Sequence, residues 1–401
     1  SDSIFRFKTG IKKLFYKSST MFEDLGFRYM GPIDGHNTEL LIDALEGAKQ
    51  ANYPIVLHIR TTKGKGYDFA ELEPSVFHGI SKFDIDTGDF ISSGTNFSNE
   101  FGKLLCNFAA KDNRICAVTA AMSLGTGLDC FENQYSDRFF DVGIAEEHAV
   151  TFCSGLAKGG MLPVFAVYSA FLQRSYDQIV HDAALQKLKI VFAIDRAGFV
   201  TGDGETHHGL LDVPFLNTIP GVTVFSPTYY SEMNNSFVKA LYHEPSVVAV
   251  RIFKGSEPEM PDDYNPTFDD FEIYGDDNAD IAVVTYGRLF ASAAKAVKAL
   301  KADGISAKVI KLNKIKPINH ASVKIAAKCN NVFFYEEGEI SGGVAEIFNR
   351  MLTEEGFNGR YIIKAVNDEF VHHASAEILL EEYGMDENSM IKYIKEVVSG
   401  E

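Results

Sequence analysis

Phe139-Phe140-Asp141-Val142-Gly143-Ile144-Ala145-Glu146-Glu147-His148-Ala149-Val150-Thr151-Phe152-Cys153-Ser154-Gly155-Leu156-Ala157 joins a strand-like segment (139–144) to a helix-like one (149–157). One carboxylate, Glu146, falls at the turn between them. A strand feeding directly into a helix is the half-unit from which α/β domains are built. Taken alone, Glu146 has an ordinary explanation, because an acid in the first turn of a helix suits the helix dipole. A second reading stays open. The flanking Ile144, Ala145, Ala149 and Val150 would desolvate a carboxylate held there, and burial favours the protonated acid.

Outward from this stretch the pattern repeats. Between residues 97 and 255, continuous apolar runs at 115–119, 139–144, 164–167, 190–195, 222–226 and 246–253 predict strands. Helical stretches, such as 99–111 and 175–185, lie between them. Buried-type runs alternating with helices predict a parallel sheet covered on both faces. Residues 256–272 carry several prolines and acids and read as an exposed linker. From 273 to 401 the logic recurs, with strands predicted at 281–286, 307–312, 332–335 and 361–366 and a helix over 289–302. Residues 1–82 hold one helical stretch (38–51), one strand (55–60) and the loop Lys63-Gly64-Lys65-Gly66. That is too little alternation for a complete α/β domain. Residues 83–96 read as a second linker. Neither α/β region contains G-x-G-x-x-G or a P-loop, so the usual nucleotide readings lose support.

Composition narrows the function. The 401 residues, 46% apolar and 23% charged, suit an ordinary globular chain of two or three domains. A net charge of −17 argues against nucleic acid as a partner. Any anionic ligand must therefore be held by a local cationic pocket. No apolar run approaches the roughly 18 residues that span a bilayer, and no signal peptide is visible. Five scattered cysteines form no C-x-x-C pair, and four of them sit in apolar contexts and read as small buried groups, which suits a reducing, cytoplasmic setting.

In open parallel sheets, ligands sit beyond the carboxyl ends of the strands. Besides Glu146, three segments of the middle region place polar groups there. Tyr168 to Arg174 offers a phenol, an aromatic face at Phe171 and a guanidinium. Asp195-Arg196-Ala197-Gly198 follows another strand. The glycine-bearing loop Gly202 to Gly209 presents Asp203, His207 and His208. Each has a plain alternative. Tyr168 and Phe171 could be core aromatics, Arg174 could pair with Asp177, and Arg196 could pair with Asp195. The two histidines could be surface residues, or metal ligands lacking further partners. Convergence of all these groups on one crevice favours a site.

The phrases F-D-V-G-I-A-E-E-H-A-V-T-F, Y-S-A-F-L-Q-R-S-Y-D-Q, A-I-D-R-A-G and D-G-E-T-H-H-G-L-L-D resemble the 1-deoxy-D-xylulose-5-phosphate synthase family. That family belongs to the thiamine diphosphate-dependent transketolase superfamily. L-G-F-R-Y-M-G-P-I-D-G-H (25–36), K-G-K-G-Y (63–67) and Phe77-His78 also fit, so the resemblance covers essentially the whole chain. It implies transketolase-like parallel-sheet domains, with 97–255 binding the cofactor's pyrimidine, 273–401 the carboxyl-terminal domain and 1–82 part of a diphosphate-binding domain. It further implies that Glu146 bonds the aminopyrimidine, Phe171 stacks on it, and Tyr67 and Arg174 touch the cofactor. Tyr168, Arg196, Asp203 and His207 would bind glyceraldehyde 3-phosphate, with His78 and His207 handling protons. The implied reaction condenses pyruvate with that aldehyde, with loss of carbon dioxide, in a homodimer.

Two departures from the family pattern follow. Lys254 stands where the family has a phosphate-binding arginine, which predicts retained but weaker phosphate binding, by ~1 kcal/mol. The Gly-Asp-Gly motif and asparagine that hold Mg2+ and the diphosphate are missing. The 401 residues are therefore expected to lack metal ligands and to be inactive by themselves. A split transketolase or a β-type subunit would also lack that half, although Leu25 to His78 is foreign to a β-type subunit. Asn313 to Ile318, Glu336 to Gly343 and Asp368 to His373 match the superfamily's last domain and read as packing or dimer contacts.

Overall fold

The computed structural model describes residues 20–80, 82–91 and 94–399 and separates into two units, Ser1–Ser93 and Gly94–Glu401. In the first, α1 (Met21–Asp24) precedes β1 (Arg28–Asp34), α2 (Thr38–Lys49), β2 (Ile55–Arg60) and α3 (Asp68–Leu72). β1 and β2 form a parallel pair, and Asn37 caps α2 by accepting from the Leu40 N–H. β1 carries a proline and little alternation, which hid it from the pattern reading.

The second unit contains two sheets. The first is built from β3 (Ile115–Thr119), β4 (Phe139–Asp141), β5 (Leu162–Tyr168), β6 (Val191–Asp195), β7 (Thr223–Phe225) and β8 (Val248–Arg251). Its helices are α4 (Phe97–Ala109), α5 (Asp129–Gln134), α6 (Glu146–Lys158), α7 (Ser169–Leu172), α8 (Asp212–Thr218) and α9 (Tyr230–Val238). The second sheet comprises β9 (Phe271–Gly275), β10 (Ile281–Thr285), β11 (Lys308–Leu312), β13 (Asn331–Glu339) and β14 (Arg360–Val366). Between β11 and β13 lies one further strand, β12 (Lys314–Lys316). α10 (Leu289–Ala302), α11 (His320–Ala326), α12 (Val344–Glu354), α13 (Ala376–Glu382) and α14 (Glu387–Ser399) pack with this second half.

Strand order is β12-β7-β8-β6-β5-β3-β4 in the seven-stranded sheet and β14-β13-β10-β11-β9 in the five-stranded one. Both are parallel except at one edge, where β12 and β9 run antiparallel. The α/β expectation with parallel sheets therefore holds, with an antiparallel edge added to each. β12 departs from chain order: it follows β11 of the second sheet but hydrogen-bonds to β7 of the first.

Both faces of each sheet are covered. Along β6, Phe192 and Ile194 enter one core while Val191 and Ala193 enter the opposite one. The first of these cores also takes in Val284, Ile310 and Phe334 of the second sheet, so apolar packing runs unbroken between the two. Strands buried on both faces need no alternation, which is why they read as continuous apolar runs.

Three expectations need correction. The strand read as 139–144 ends at Asp141, whose Oδ1 accepts from the Ala121 and Gly143 N–H groups and turns the chain. The helix read as 175–185 is a chain of short turns over residues 173–184, partly π-helical. The linker read as exposed contains Tyr264, which is buried in the second core, and β9 begins at Phe271 within it.

Candidate active site

Six of the candidate residues form one connected cluster beyond the carboxyl ends of β5, β6 and β8. Tyr168 closes β5, and α7 places Phe171 one turn later, with the two ring centroids 5.6 Å apart. The His207 ring meets Phe171 edge-on at 5.2 Å. Arg196 follows β6 with a left-handed backbone (φ 60°), strained for a residue with a side chain. That geometry lays its guanidinium over the Tyr168 ring at 3.8 Å and directs Nη1 to Asp203 Oδ2 at 2.6 Å. Lys254, just past β8, donates from Nζ to the same Asp203 oxygen at 2.7 Å and to the Thr201 carbonyl at 2.8 Å. Arg196 thus pairs with Asp203, not with the adjacent Asp195. Lys254 and Arg196 thus put two cations against one carboxylate oxygen.

The electrostatics follow from partial burial. Desolvation works against the Asp203 carboxylate, but Lys254 and Arg196 outweigh it and hold its pKa below the ordinary 3.8. Asp195 lies under the cluster and is almost fully buried. Burial pushes it up to about 6, against the opposing pull of hydrogen bonds from Ser98 Oγ (2.6 Å) and the Arg196 N–H. Burial likewise raises the Tyr168 phenol, against the Arg196 charge.

Glu146 opens α6 and is 2% exposed. Ala149 and Val150 are fully buried, but Ile144 is 80% exposed and takes no part in covering it. Its one side-chain partner among the described residues is Arg174, whose Nη1 lies 3.2 Å from Oε2. The alternative pairing of Arg174 with Asp177 is not formed; Asp177 meets His181 instead. Glu146 is therefore a buried acid with its other oxygen uncommitted. That suits a ligand offering a ring nitrogen and an amino group at hydrogen-bonding distance.

Tyr67 and His78 belong to the first unit. Tyr67 packs with Phe69, Phe77 and Phe83 and donates to the Ile85 carbonyl at 3.0 Å. His78 is exposed. His208 is buried rather than superficial. Its Nδ1 accepts from the Val200 N–H at 3.0 Å, and Nε2 then carries the proton donated to the His372 carbonyl at 3.2 Å. No three metal-ligating side chains gather among the described residues.

Sequence reasoning missed the supports of this site. Gly125, in the loop after β3, leaves room for the Tyr168 hydroxyl: a Cβ there would lie 1.7 Å from it. Glycines at 125 and 127 were the available signal. The loop carrying Asp203 and His207 is held by the second sheet's domain. Glu337 accepts from the Phe199 N–H and pairs with Arg288, which also donates to the Phe199 carbonyl at 2.7 Å. The Ala376 N–H donates to Thr201 Oγ1 at 2.9 Å. Glu336 to Gly343 and Asp368 to His373 thus include groups that grip the site loop, a role beyond general packing.

Residues 94–258 match the family model for the transketolase pyrimidine binding domain, and 272–390 that for the transketolase C-terminal domain. Residues 1–61 match the model named 1-deoxy-D-xylulose-5-phosphate synthase. A protein of that name from Caldanaerobacter subterraneus subsp. tengcongensis is 42% identical over 391 residues, 96% of this chain and 62% of the relative. One from Clostridium kluyveri is 40% identical over 98% of this chain and 63% of its own length. The chain belongs to the 1-deoxy-D-xylulose-5-phosphate synthase family.

As a member of the 1-deoxy-D-xylulose-5-phosphate synthase family, the chain spans about three fifths of the length of these curated relatives. Solved structures share the fold at lower identity. A "split gene transketolase, inactive beta4 tetramer" aligns with TM-score 0.66 and 24% identity, covering 77% of this chain and 99% of its own. A Campylobacter jejuni transketolase aligns with TM-score 0.63 and 16% identity over 93% of this chain and 68% of its own. No helix among the described residues is long and apolar enough to cross a membrane.

Proposed function

We propose that this chain carries the pyrimidine-binding and aldehyde-binding half of a 1-deoxy-D-xylulose-5-phosphate synthase. The proposed reaction condenses pyruvate with glyceraldehyde 3-phosphate, with release of carbon dioxide. The observation that carries the reading is the Tyr168–Arg196–Asp203–Lys254 cluster, a cationic corner against an aromatic wall on a chain of net charge −17. Thiamine diphosphate, held with Mg2+ through a diphosphate-binding half, would supply the nucleophilic carbon and the electron sink.

The chain's own residues do the rest. Glu146 would share a proton with the aminopyrimidine ring through its uncommitted oxygen, its burial strengthening that bond. Phe171 would lie against the ring. Arg196 and Lys254 take the aldehyde's phosphate, and to do so they give up Asp203, their present counterion. Freed, Asp203 can accept from a substrate hydroxyl while His207 donates to the forming alkoxide. Arg174, paired with Glu146, completes the surround on this unit. We place the enzyme in the cytoplasm as a homodimer feeding isoprenoid, thiamine and pyridoxal precursors.

The test is to supply the protein with thiamine diphosphate, Mg2+, pyruvate and glyceraldehyde 3-phosphate, adding a family member's diphosphate-holding segment as a second polypeptide. Carbon dioxide release with formation of the five-carbon phosphate is the expected result. A second reading, half of a split transketolase, is favoured by the likeness to a split-gene chain along 99% of its length. Consumption of ribose 5-phosphate without pyruvate would select it. The match of residues 1–61 to the synthase model speaks against it.

A further inference from the structure

The five cysteines look unrelated along the chain, yet the fold brings two of them together. Cys106, on the buried face of α4, and Cys130, on α5, are 24 residues apart, and their sulfur atoms lie 3.2 Å from each other. Neither is in a disulfide. A disulfide needs the sulfurs at about 2.05 Å, so closure asks for roughly 1 Å of side-chain movement. The backbone around them is already close: a Cβ on Gly102 of α4 would lie 1.8 Å from the Gly127 carbonyl, just before α5.

The two sulfurs are not equivalent. Cys130 is half-exposed and its sulfur accepts twice, from the Cys106 S–H and from Gln134 Nε2 at 3.1 Å. The half-exposed Cys130 sulfur is therefore the one that an oxidant in solution can reach, with the buried Cys106 sulfur behind it. Cys106 is buried, and burial with the Cys130 contact and the nearby Asp129 charge pushes its thiol up to about 12.

We propose that Cys106 and Cys130 form an oxidation site, closed by a peroxide into an intramolecular disulfide that ties α4 to α5. The Cys130 thiolate attacks one peroxide oxygen, the O–O bond breaks, and a sulfenic acid forms as hydroxide leaves. The Cys106 sulfur then attacks the Cys130 sulfur, the S–O bond breaks, and the Cys106 proton goes to the departing hydroxide as water. Hydrogen peroxide is reduced to two waters while two thiols are oxidised to one disulfide. The cross-link closes on the segment that backs the site, since α4 carries Ser98 under Asp195 and the loop before α5 carries Gly125 under Tyr168.

The 401-residue protein is treated with stoichiometric hydrogen peroxide and titrated for thiols after unfolding under non-reducing conditions. The expected count falls from five to three, the intact mass falls by about 2 Da, and dithiothreitol reverses both. A peptide map links 106 to 130. Cys106→Ser keeps its remaining thiols from pairing and accumulates a dimedone-trappable sulfenic acid on Cys130, while Cys130→Ser is unreactive. An unchanged count of five, a disulfide-linked dimer that persists in Cys106→Ser, or a linkage among Cys116, Cys153 and Cys329 would overturn the proposal. None of these readouts depends on the catalytic reading.

Discussion

Two clusters in the larger unit share a chemistry but differ in their relation to water. In one, Lys311 is fully buried between Glu232 and Glu272, with the Tyr264 hydroxyl within reach of both carboxylates, its single proton going to one of them, and accepting from Lys311 Nζ. Glu232 also accepts from the Thr228 and Tyr229 N–H groups, and Glu272 from the Thr267 N–H and Asn313. In the other, Asp203 lies between Arg196 and Lys254, whose side chains are 17% and 34% exposed. In the first network each charge has a protein partner of opposite sign. In the second, one carboxylate oxygen serves two cations at the rim of an aromatic wall, so an incoming anion can replace it. Burial separates the two ion clusters here, since the residue types do not, and the proposed binding role falls to the more open one.

This contrast can be broken from either side. Lys311→Met should have the largest effect, because it strands two buried carboxylates. A loss of ~3–5 kcal/mol in urea unfolding is expected, and a loss under 1 kcal/mol would mean that the cluster is hydrated after all. Asp195→Asn tests the acid beneath the open cluster. Its pKa is raised from 3.8 to about 6 in the folded state. Between those values the folded protein holds a proton that the unfolded chain releases, so stability falls as pH rises through the window. At pH 8 the asparagine variant should be more stable by at most ~3 kcal/mol, with the difference gone below about pH 4. Equal stability curves for the two proteins would show Asp195 to be solvated.

Arg196→Met probes the open cluster directly. Unfolding free energy should change by only ~1 kcal/mol, because the pair is partly solvated and Lys254 still neutralises Asp203. In the complemented enzyme, KM for glyceraldehyde 3-phosphate should rise about 30-fold, corresponding to about 2 kcal/mol of a charge-assisted bond. A change in stability larger than the change in KM would make this cluster structural too. Lys254→Arg should be smallest: a KM lowered by about fivefold, near 1 kcal/mol, from the bidentate fork. An unchanged KM would mean that Thr201 and Asp203 already hold the lysine where the phosphate needs it.

The central strands were legible because strands buried on both faces must be apolar throughout. Tyr168, Phe171, Arg196, Asp203 and His207 were legible because strand ends in a parallel sheet converge, and Lys254 only through the family resemblance. What the chain hid was pairing at long range. Nothing near Arg174 distinguishes Glu146 from Asp177 as its partner; helix α6 decides it by standing opposite. Ile144 reads as apolar cover yet faces water, because Asp141 turns the chain early. The grip of Glu337 on Phe199 joins residues 138 positions apart, and the Cys106–Cys130 approach depends on how α4 meets α5.

The three residues of β12 have an outcome for anyone dissecting this chain. They leave the second sheet to cap the edge of the first, with Lys316 Nζ donating to the Leu216, Asn217 and Ile219 carbonyls. A cut anywhere between Gly255 and Asn313 would strip that strand from β7 and leave a raw row of peptide groups open to pairing with other chains. The two sheets are stitched, and isolated halves should clump where the whole stays dispersed.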